Sequence, residues 1–511
     1  MAHRFGWIVW QLKVFFLTVN YSYFFILIDF MKDIVLTTIN AKWIHPSLAL
    51  RLLKANLGVF EDRCEIIEFN LRQPADEKIR MLLEACPRVL GISVSIWNHT
   101  QTIELLEELE KIYSNSAQFT KPVTVLGGPE VSHLPSGSHL FKFADYIIRG
   151  EGETSFRLLC EDVLINKNSV TRNHKEKFIN SEQVKLTGVK SAYHLYTDED
   201  LAKKLIYVES GRGCPYGCEF CLSAIDKTVR EFPLEPFLAQ MDLLIQRGAG
   251  TFKFLDRSFN INIPRALRII EFFLEHLCAS GSLIYGQKSG KTSAPPFVVH
   301  FEMVPSLFPG ELRRALSRFP PGTLRLEIGI QTLNPEVSAR IGRPSNPEKE
   351  LEVLRFLREN TNAVIHADLI AGLPGEDMAS FGSGFDRLLL ALCGGGRYDA
   401  KRAEIQAGIL KLLPGTPVAR HNESFGMCYS AVPPYEVIKT SAISDNGIRR
   451  LKNFARFWEL IVSRGLQETP KTLNFNEFMN LSDSLFAHFG RNWGIDKAEL
   501  LKKTEEITFS I

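Results

Sequence analysis

Short apolar runs alternate with amphipathic stretches through the first third of the chain. Five runs predict strands at 34–38, 64–69, 89–95, 123–126 and 146–148. The stretches between them carry apolar residues at helical spacing, as at Leu105, Leu106 and Leu109. Because strands that alternate with helices form parallel sheets, we expect an α/β, doubly wound, Rossmann-like domain. Such sheets bind ligands beyond the carboxyl ends of their strands.

A second alternating series follows a polar connector, predicted at 166–204. Its apolar runs lie at 205–209, 251–255, 297–303, 324–330, 364–370 and 405–413. Six βα steps predict a partial or full parallel barrel, with the chemistry carried by loops at the strand ends. The tail after residue 420 is mostly helical, with an amphipathic stretch at 454–461. The predicted domains are therefore 31–165, 205–420 and a helical 421–511.

The first thirty residues form a hydrophobic extension. Residues 5–28 carry one charge, Lys13, and are numerous enough to span a bilayer. Three interpretations remain open: an extension upstream of a true start at Met31, a membrane anchor, or an amphipathic or core segment. We expect a cytoplasmic protein, or a membrane-anchored one if 5–28 is translated and inserted.

Composition narrows the function. Sixty Lys and Arg residues against 58 Asp and Glu leave a net charge of +2, which argues against a protein that coats nucleic acid. The chain is 45% hydrophobic and 23% charged, as globular proteins are. Nine cysteines in 511 residues are too few for a disulfide scaffold. Three of them, Cys214, Cys218 and Cys221, nevertheless lie within eight residues.

These three cysteines follow a predicted strand, in the loop Ser210-Gly-Arg-Gly-Cys-Pro-Tyr-Gly-Cys-Glu-Phe-Cys. Thiolates at this spacing can surround zinc or an iron–sulfur cluster. Structural zinc requires a fourth ligand, and no second C-x2-C or H-x3-H lies nearby in the sequence. Three thiolates on a four-iron cluster leave one iron open to a substrate. Three buried structural cysteines are the remaining alternative.

With Phe220 before its last cysteine, this loop resembles the signature of the radical S-adenosylmethionine (SAM) superfamily. It falls at the first strand of a six-step series, where that family carries it. Later segments resemble the family's second to sixth strands in order, and the resemblance covers residues 205–417. These segments are 248–260, 300–303, 327–332, 368–376 and 408–416.

The resemblance implies that Cys214, Cys218 and Cys221 hold a 4Fe-4S cluster, that SAM chelates its open iron, and that one electron cleaves SAM to a radical. Phe220 would lie near the adenine, and the turn at Gly372 would let the backbone approach it. Polar residues at strand ends would hold the amino group or ribose of SAM, with rim salt bridges as the alternative role. They are Asp256, Glu302 and Gln331.

Three strand ends of the N-terminal domain carry small or acidic residues in the strings G-I-S-V-S, L-G-G-P-E and A-D-Y-I-I-R-G-E-G-E. Together they resemble the cobalamin-binding domain that precedes many radical SAM domains, in a subgroup with an uncharacterised C-terminal domain. The D-x-H-x-x-G string of better-known cobalamin domains is missing from the sequence. Simple turns are the alternative. The implied cobalamin contacts are Thr38, Asn40, Ser93, Ser95, Gly127, Gly128, Pro129, Glu130, Gly150 and Glu151.

The resemblance implies a cobalamin-dependent radical SAM enzyme, with methylation favoured over rearrangement of an unidentified substrate. A methylthiotransferase and a non-enzymatic cobalamin or redox sensor are the alternatives. The expected partners are the substrate and a reductant such as flavodoxin or ferredoxin, with membrane contact only through residues 1–30. The motifs identify no catalytic side chain.

Overall fold

The computed structural model describes residues 32–165, 176–279, 296–343, 345–393, 398–463 and 474–508. The chain divides into two units, one of Met1–Trp43 with Ala49–Val184 and one of Ile44–Leu48 with Lys185–Ile511. The extension 1–30 and part of the predicted connector, 166–175, lie outside the described residues. The predicted domain boundaries stay predictions.

The first unit is built on a six-stranded sheet in which every pairing is parallel. The strand order is β2-β1-β3-β4-β5-β6, so the direction of winding reverses between β1 and β3. The five predicted strands are confirmed, and the sixth lies in the predicted connector. The strands are β1 Ile34–Asn40, β2 Cys64–Asn70, β3 Val89–Ser93, β4 Val123–Gly127, β5 Tyr146–Arg149 and β6 Phe178–Asn180.

Both faces of this sheet are covered, because successive side chains of a strand point to opposite sides. In β1, Val35 and Ile39 belong to one apolar cluster, and Ile34 and Leu36 belong to another. All seven residues of β1 are buried, which explains why Ile34, Val35 and Leu36 occupy successive rather than alternate positions. The helices around the sheet are Leu48–Ala55, Ala75–Ala85, His99–Asn115, Pro129–His133 and Glu153–Leu164.

The second unit contains a six-stranded parallel sheet whose spatial order follows the chain, β7-β10-β11-β12-β13-β14. Within the described residues, β7 and β14 are its two edges, so this sheet is a partial barrel and the prediction of six βα steps is confirmed. The strands are β7 Ile206–Val208, β10 Thr251–Phe254, β11 Val298–Met303, β12 Leu324–Gln331, β13 Val364–Ala371 and β14 Ala403–Ile409. A two-stranded ribbon, β8 Gly211–Arg212 with β9 Arg230–Glu231, follows β7.

The barrel strands alternate between a helix-packed face and a polar face. In β10, Phe252 and Phe254 pack on Phe273 with ring centroids 5.1 and 6.0 Å apart. Lys253 between them points to the opposite side of the strand, which is the concave face of the barrel. The helices are Asp198–Lys203, Leu234–Gln246, Ile263–Ala279, Gly310–Leu316, Pro335–Arg340, Pro347–Asn360 and Met378–Leu392.

The C-terminal part of the second unit begins with the antiparallel pair β15 Cys428–Tyr429 and β16 Val437–Lys439, then becomes helical. Phe454 and Trp458, in the predicted amphipathic stretch, pack edge-on against Phe385 of the barrel helix Met378–Leu392. The final helices are Asp445–Trp458, Phe475–Phe489 and Lys497–Thr508. Across the described ranges, no helix has the length and apolar character to cross a membrane.

Candidate cluster and cofactor sites

The three-cysteine loop begins directly after β7 and runs between β8 and β9. Cys214, Cys218 and Cys221 are free thiols of intermediate burial. Gly213 starts the loop with φ +95°, and a Cβ there would lie 1.7 Å from the carbonyl oxygen of Thr228. Only glycine fits such a position. The loop therefore crosses the chain that returns to β9 at van der Waals contact.

Neighbouring charges act on the thiols. Burial raises the pKa of Cys218, whereas the guanidinium of Arg343 opposes that shift and the thiols of Cys221 and Cys214 add to it. The three thiols are thus within electrostatic range of one another. Among the described residues, no three His, Cys, Asp or Glu side chains converge on a single metal ion. A four-iron cluster takes one thiolate on each of three irons, so the free, accessible thiols fit it better than mononuclear zinc.

Asp256 supports the strand that leads into the loop. Its carboxylate accepts hydrogen bonds from the backbone nitrogen of Ser210 at 2.9 Å and from the Ser210 hydroxyl at 2.6 Å. Burial raises the pKa of Asp256 to about 6 despite these two bonds. The structure thus accounts for Asp256 through Ser210, and its predicted contact with SAM stays a prediction.

Glu302 lies on the concave face, at the end of β11. Its carboxylate is 3.3 Å from the guanidinium of Arg257, whose charge also interacts with the thiol of Cys221. Burial raises the pKa of Glu302, and Arg257 opposes that shift. Glu302 and the Cys221 thiol therefore both lie within electrostatic range of Arg257, a residue that sequence reasoning did not select.

Gln331 has a backbone conformation that is unusual for its residue type. It ends β12 with φ +70°, where the register with β13 shifts. A non-glycine residue with positive φ is uncommon and strained, and such residues cluster at functional sites. Gly372 also has a positive φ, +85°, and a Cβ there would lie 2.6 Å from Val437. Phe220 is half-buried in the cluster loop.

A layer of ionisable residues on the concave face was missed by sequence reasoning. Lys253 Nζ and His300 Nε2 each lie 3.3 Å from the carboxylate of Glu327. His366 Nδ1 lies 3.1 Å from Glu404. Lys253, Glu327 and Glu404 keep about 30% of their side chains exposed although they lie on covered strands, so the concave face is open to solvent. Polar residues at every second position of otherwise apolar strands were the available signal.

Burial and charges on the concave face shift the pKa values of two carboxyl groups. The proximity of the His300 imidazole, together with the Lys253 ammonium, lowers the pKa of Glu327 to about 2. Burial, together with the carboxylates of Glu327, Glu302 and Glu404, raises the pKa of Asp368 to about 7. Asp368 can therefore hold or release a proton near neutral pH, which is the property that acid–base catalysis requires.

In the first unit, Asn98 joins the ends of β1 and β3 at the winding reversal. It is completely buried. Its amide nitrogen donates to the Thr38 hydroxyl at 3.2 Å and to the carbonyl oxygens of Ile39 and Ser93 at 3.1 and 3.3 Å. Its amide oxygen accepts from the backbone of Ser95 at 2.8 Å. Three predicted residues, Thr38, Ser93 and Ser95, therefore meet at one side chain that sequence reasoning missed.

The end of β4 lies beside this point. Gly128 has φ +100°, and a Cβ there would lie 2.6 Å from the carbonyl oxygen of Val94. Gly127 ends β4, and the short helix Pro129–His133 begins two residues later. The buried carboxylate of Glu130 lies 2.8 Å from Nδ1 of His99. Packing between two strand ends accounts for Gly128, and pairing with His99 accounts for Glu130.

The remaining predicted residues follow β5 and end β1. Gly150 has φ +86°, and its nitrogen donates to the Ser132 hydroxyl at 3.2 Å. The carboxylate of Glu151 accepts from the backbone of Val184 at 2.8 Å. Asn40 donates to Glu68 at 3.0 Å. All ten predicted residues thus lie at or beyond the carboxyl ends of parallel strands, and their contacts with cobalamin stay predictions.

Residues 208–387 match the family profile described as the radical SAM superfamily. The chain carries a radical SAM domain. The matched region begins in β7, includes the three-cysteine loop and extends into the helix Met378–Leu392. The profile therefore covers the part of the second unit that contains the loop and the first five barrel strands.

Relatives in sequence match part of the chain. The chain is 23% identical over 369 residues to 2-(S-pantetheinyl)-carbapenam-3-carboxylate methyltransferase of Streptantibioticus cattleyicolor, covering 68% of this chain and 50% of that protein. It is 22% identical over 215 residues to the ribosomal protein uS12 methylthiotransferase RimO of Gloeobacter violaceus, covering 40% of this chain and 46% of RimO. The chain spans about half the length of the curated relatives it matches.

Two solved structures share the fold. The cobalamin-dependent SAM radical enzyme OxsB, solved with aqua-cobalamin and SAM, superimposes with a TM-score of 0.62 at 14% identity, covering 93% of this chain and 79% of OxsB. TsrM from Kitasatospora setae, a radical SAM methyltransferase solved with cobalamin and a [4Fe-4S] cluster, gives 0.56 at 18% identity, covering 76% and 77%. At these identities the two likenesses show a shared fold.

Proposed function

We propose that this protein is a cobalamin-dependent radical SAM enzyme that methylates a substrate not yet identified. The observation that carries the proposal is the three-cysteine loop at the end of the first strand of a six-stranded partial barrel. In the same chain, the barrel follows a parallel sheet that carries the predicted cobalamin contacts at its strand ends. Relatives named as methyltransferases favour methylation over rearrangement.

In this proposal the thiols of Cys214, Cys218 and Cys221 hold a 4Fe-4S cluster. The cluster supplies the electron that cleaves SAM when both are bound. Glu302 and Gln331 project from the ends of neighbouring strands, where a carboxylate and an amide can bind the ammonium and hydroxyl groups of SAM. Asp256 holds Ser210 so that the loop leaves β7 in a defined direction. Phe220 provides an aromatic face for adenine, and the turn at Gly372 is the proposed point of approach of the backbone.

Cobalamin binding is proposed for the carboxyl edge of the first sheet. A bound cobalamin supplies a methyl carrier. Gly127, Gly128 and Gly150 leave backbone uncovered at this edge, and Ser93 and Ser95 offer hydroxyl groups to polar ligand atoms. Asn98 fixes the ends of β1 and β3, so this edge is ordered before any ligand arrives.

Methylthiolation is the alternative with a relative behind it, because RimO matches the chain. Cys64, Cys86 and Cys160 are the cysteines of the first unit. Cys64 and Cys160 are buried, and burial raises the pKa of Cys64 to about 12. Cys64 and Cys160 belong to one apolar core cluster, whereas Cys86 is exposed. The first unit therefore supports cobalamin binding better than a second cluster.

Anaerobic reconstitution tests the proposal. The wild-type protein, loaded with iron and sulfide, should show a 4Fe-4S spectrum and release 5′-deoxyadenosine or S-adenosylhomocysteine from SAM with a reductant. It should also retain corrinoid after purification with cobalamin. Cys214→Ala should lose SAM turnover, and Cys428→Ala, an exposed thiol outside the loop, should keep it. Turnover by Cys214→Ala would contradict the cluster assignment, and absence of bound corrinoid would contradict the cobalamin assignment.

A further inference from the structure

Glu219 lies inside the three-cysteine loop, between Cys218 and Phe220, but its side chain points into the protein. The residue is only 8% exposed. Its carboxylate accepts from Arg420 through Nε at 3.0 Å and through Nη2 at 2.5 Å. His421 Nε2 lies 2.9 Å from the same carboxylate. A two-point arginine pairing of this kind fixes orientation as well as distance.

The backbone of Glu219 is held on both sides. Its nitrogen donates to the carbonyl oxygen of Ile341 at 2.9 Å, and its own carbonyl oxygen accepts from Val418 at 3.0 Å. Gly342 has φ +68°, and a Cβ there would lie 2.6 Å from the carbonyl oxygen of Gly217. Three distant parts of the second unit therefore meet at one residue: the loop, the turn after helix Pro335–Arg340, and the segment 416–421.

Glu219 is buried but Arg420 is largely exposed, so their ion pair contributes little net stability, because solvent screens it and desolvation of Glu219 opposes it. Its two-point geometry can still define one orientation of the Glu219 side chain. Glu219 also places a further negative charge beside the thiolate ligands. Like charges repel, so this arrangement does not stabilise the fold. The contacts that hold Glu219 also restrain Cys218 and Cys221. Cys218 directly precedes Glu219, and the Cys221 nitrogen donates a hydrogen bond to the Cys218 carbonyl oxygen at 2.9 Å. Two of the three thiols thus move with Glu219.

We propose that Glu219, held by Arg420 and His421, is a positioning residue of the cluster loop, and that the segment 416–421 beyond the last barrel strand is part of the cluster site. This inference rests on the proposed function, because it concerns how the loop presents the cluster to SAM. Glu219 touches no reacting atom. It acts by fixing Cys218 and Cys221, and a positioning shell of this kind must hold its site within about 0.5 Å.

The test compares Glu219→Gln and Arg420→Gln with Glu235→Gln as the matched control. Glu235 is an exposed carboxylate of the same unit, 3.3 Å from Arg268. Glu219→Gln keeps the size of the side chain and removes its charge. Each variant is reconstituted, and its iron content, the EPR spectrum of the reduced cluster with and without SAM, and KM and kcat for SAM cleavage are recorded.

We expect Glu219→Gln to bind iron but to lose the change that SAM causes in the wild-type spectrum. Its KM for SAM should rise about tenfold, or about 1.4 kcal/mol, with kcat less affected. Arg420→Gln should change the spectrum and the KM for SAM in the same direction. The double variant should have the same KM as Glu219→Gln, because the two side chains act as one unit. Glu235→Gln should behave as wild type.

Wild-type spectra and KM in Glu219→Gln would overturn the inference, as would additive effects in the double variant. If Glu219→Gln fails to bind iron, Arg420→Gln decides, since Arg420 is 63% exposed and its replacement leaves the core intact. A wild-type protein without any cluster signal would instead overturn the proposed function, and this inference with it.

Discussion

Replacing Gly213 by alanine tests whether the start of the cluster loop tolerates any side chain. The residue has φ +95°, and an alanine there costs about 1–2 kcal/mol from backbone strain alone. The added Cβ would also lie 1.7 Å from the Thr228 carbonyl oxygen, where real contacts exceed 3.0 Å. The two backbone segments must therefore separate by more than an ångström. That exceeds the tolerance of about 0.5 Å for an organised site.

Gly248→Ala is the matched control, because Gly248 has a similar φ of +86° and no atom within 4 Å of the added Cβ. In urea titrations, Gly248→Ala should lose about 1–2 kcal/mol of unfolding free energy, and Gly213→Ala should lose more, because its clash with Thr228 adds to the backbone strain. Only Gly213→Ala should also lose cluster binding, to less than about a fifth of the wild-type iron content after anaerobic reconstitution, since its loop is displaced. Equal iron content in the two variants would refute the steric reasoning.

Two further predictions concern buried polar residues. Asn98→Ala removes the four hydrogen bonds of the buried Asn98 amide at the β1–β3 junction, so unfolding free energy should fall by about 1–3 kcal/mol and corrinoid retention should decrease. Unchanged stability in urea would contradict this role. The fold raises the pKa of Asp368 from 3.8 to about 7, so between these pH values the folded state binds more protons than the unfolded state. The free energy of unfolding therefore falls as the pH rises from about 4 to about 7. Asp368→Asn should flatten that part of the stability–pH curve, and an unchanged slope would show that another group titrates there.

The functional residues fall into those the sequence indicates and those it conceals. The cysteine loop was found because its chemistry is local, with three thiols within eight residues after one apolar strand. Asn98, Arg257, Arg343 and Glu219 were not found. Each has a partner that is distant in sequence, as Glu219 has in Arg420, so local spacing carries no signal for it.

The glycine-rich strand ends illustrate a second limit. Gly128 was selected as a point where a ligand approaches the backbone, and the structure shows that Val94 already requires a glycine there. Glu130 was selected as a cobalamin contact, and the structure pairs it with His99. A residue needed for packing and a residue needed for binding can look the same in a sequence.

The sequence by itself determined the order of strands and helices, the parallel character of both sheets and the position of the cluster loop. These follow from hydrophobic period and local motif, which depend on neighbours along the chain. Only the folded structure shows that the concave face of the barrel carries Lys253, Glu327 and Glu404, and that Arg420 holds the cluster loop. These depend on residues brought together by the fold, because a side chain's charge state and partner are set by what surrounds it in space.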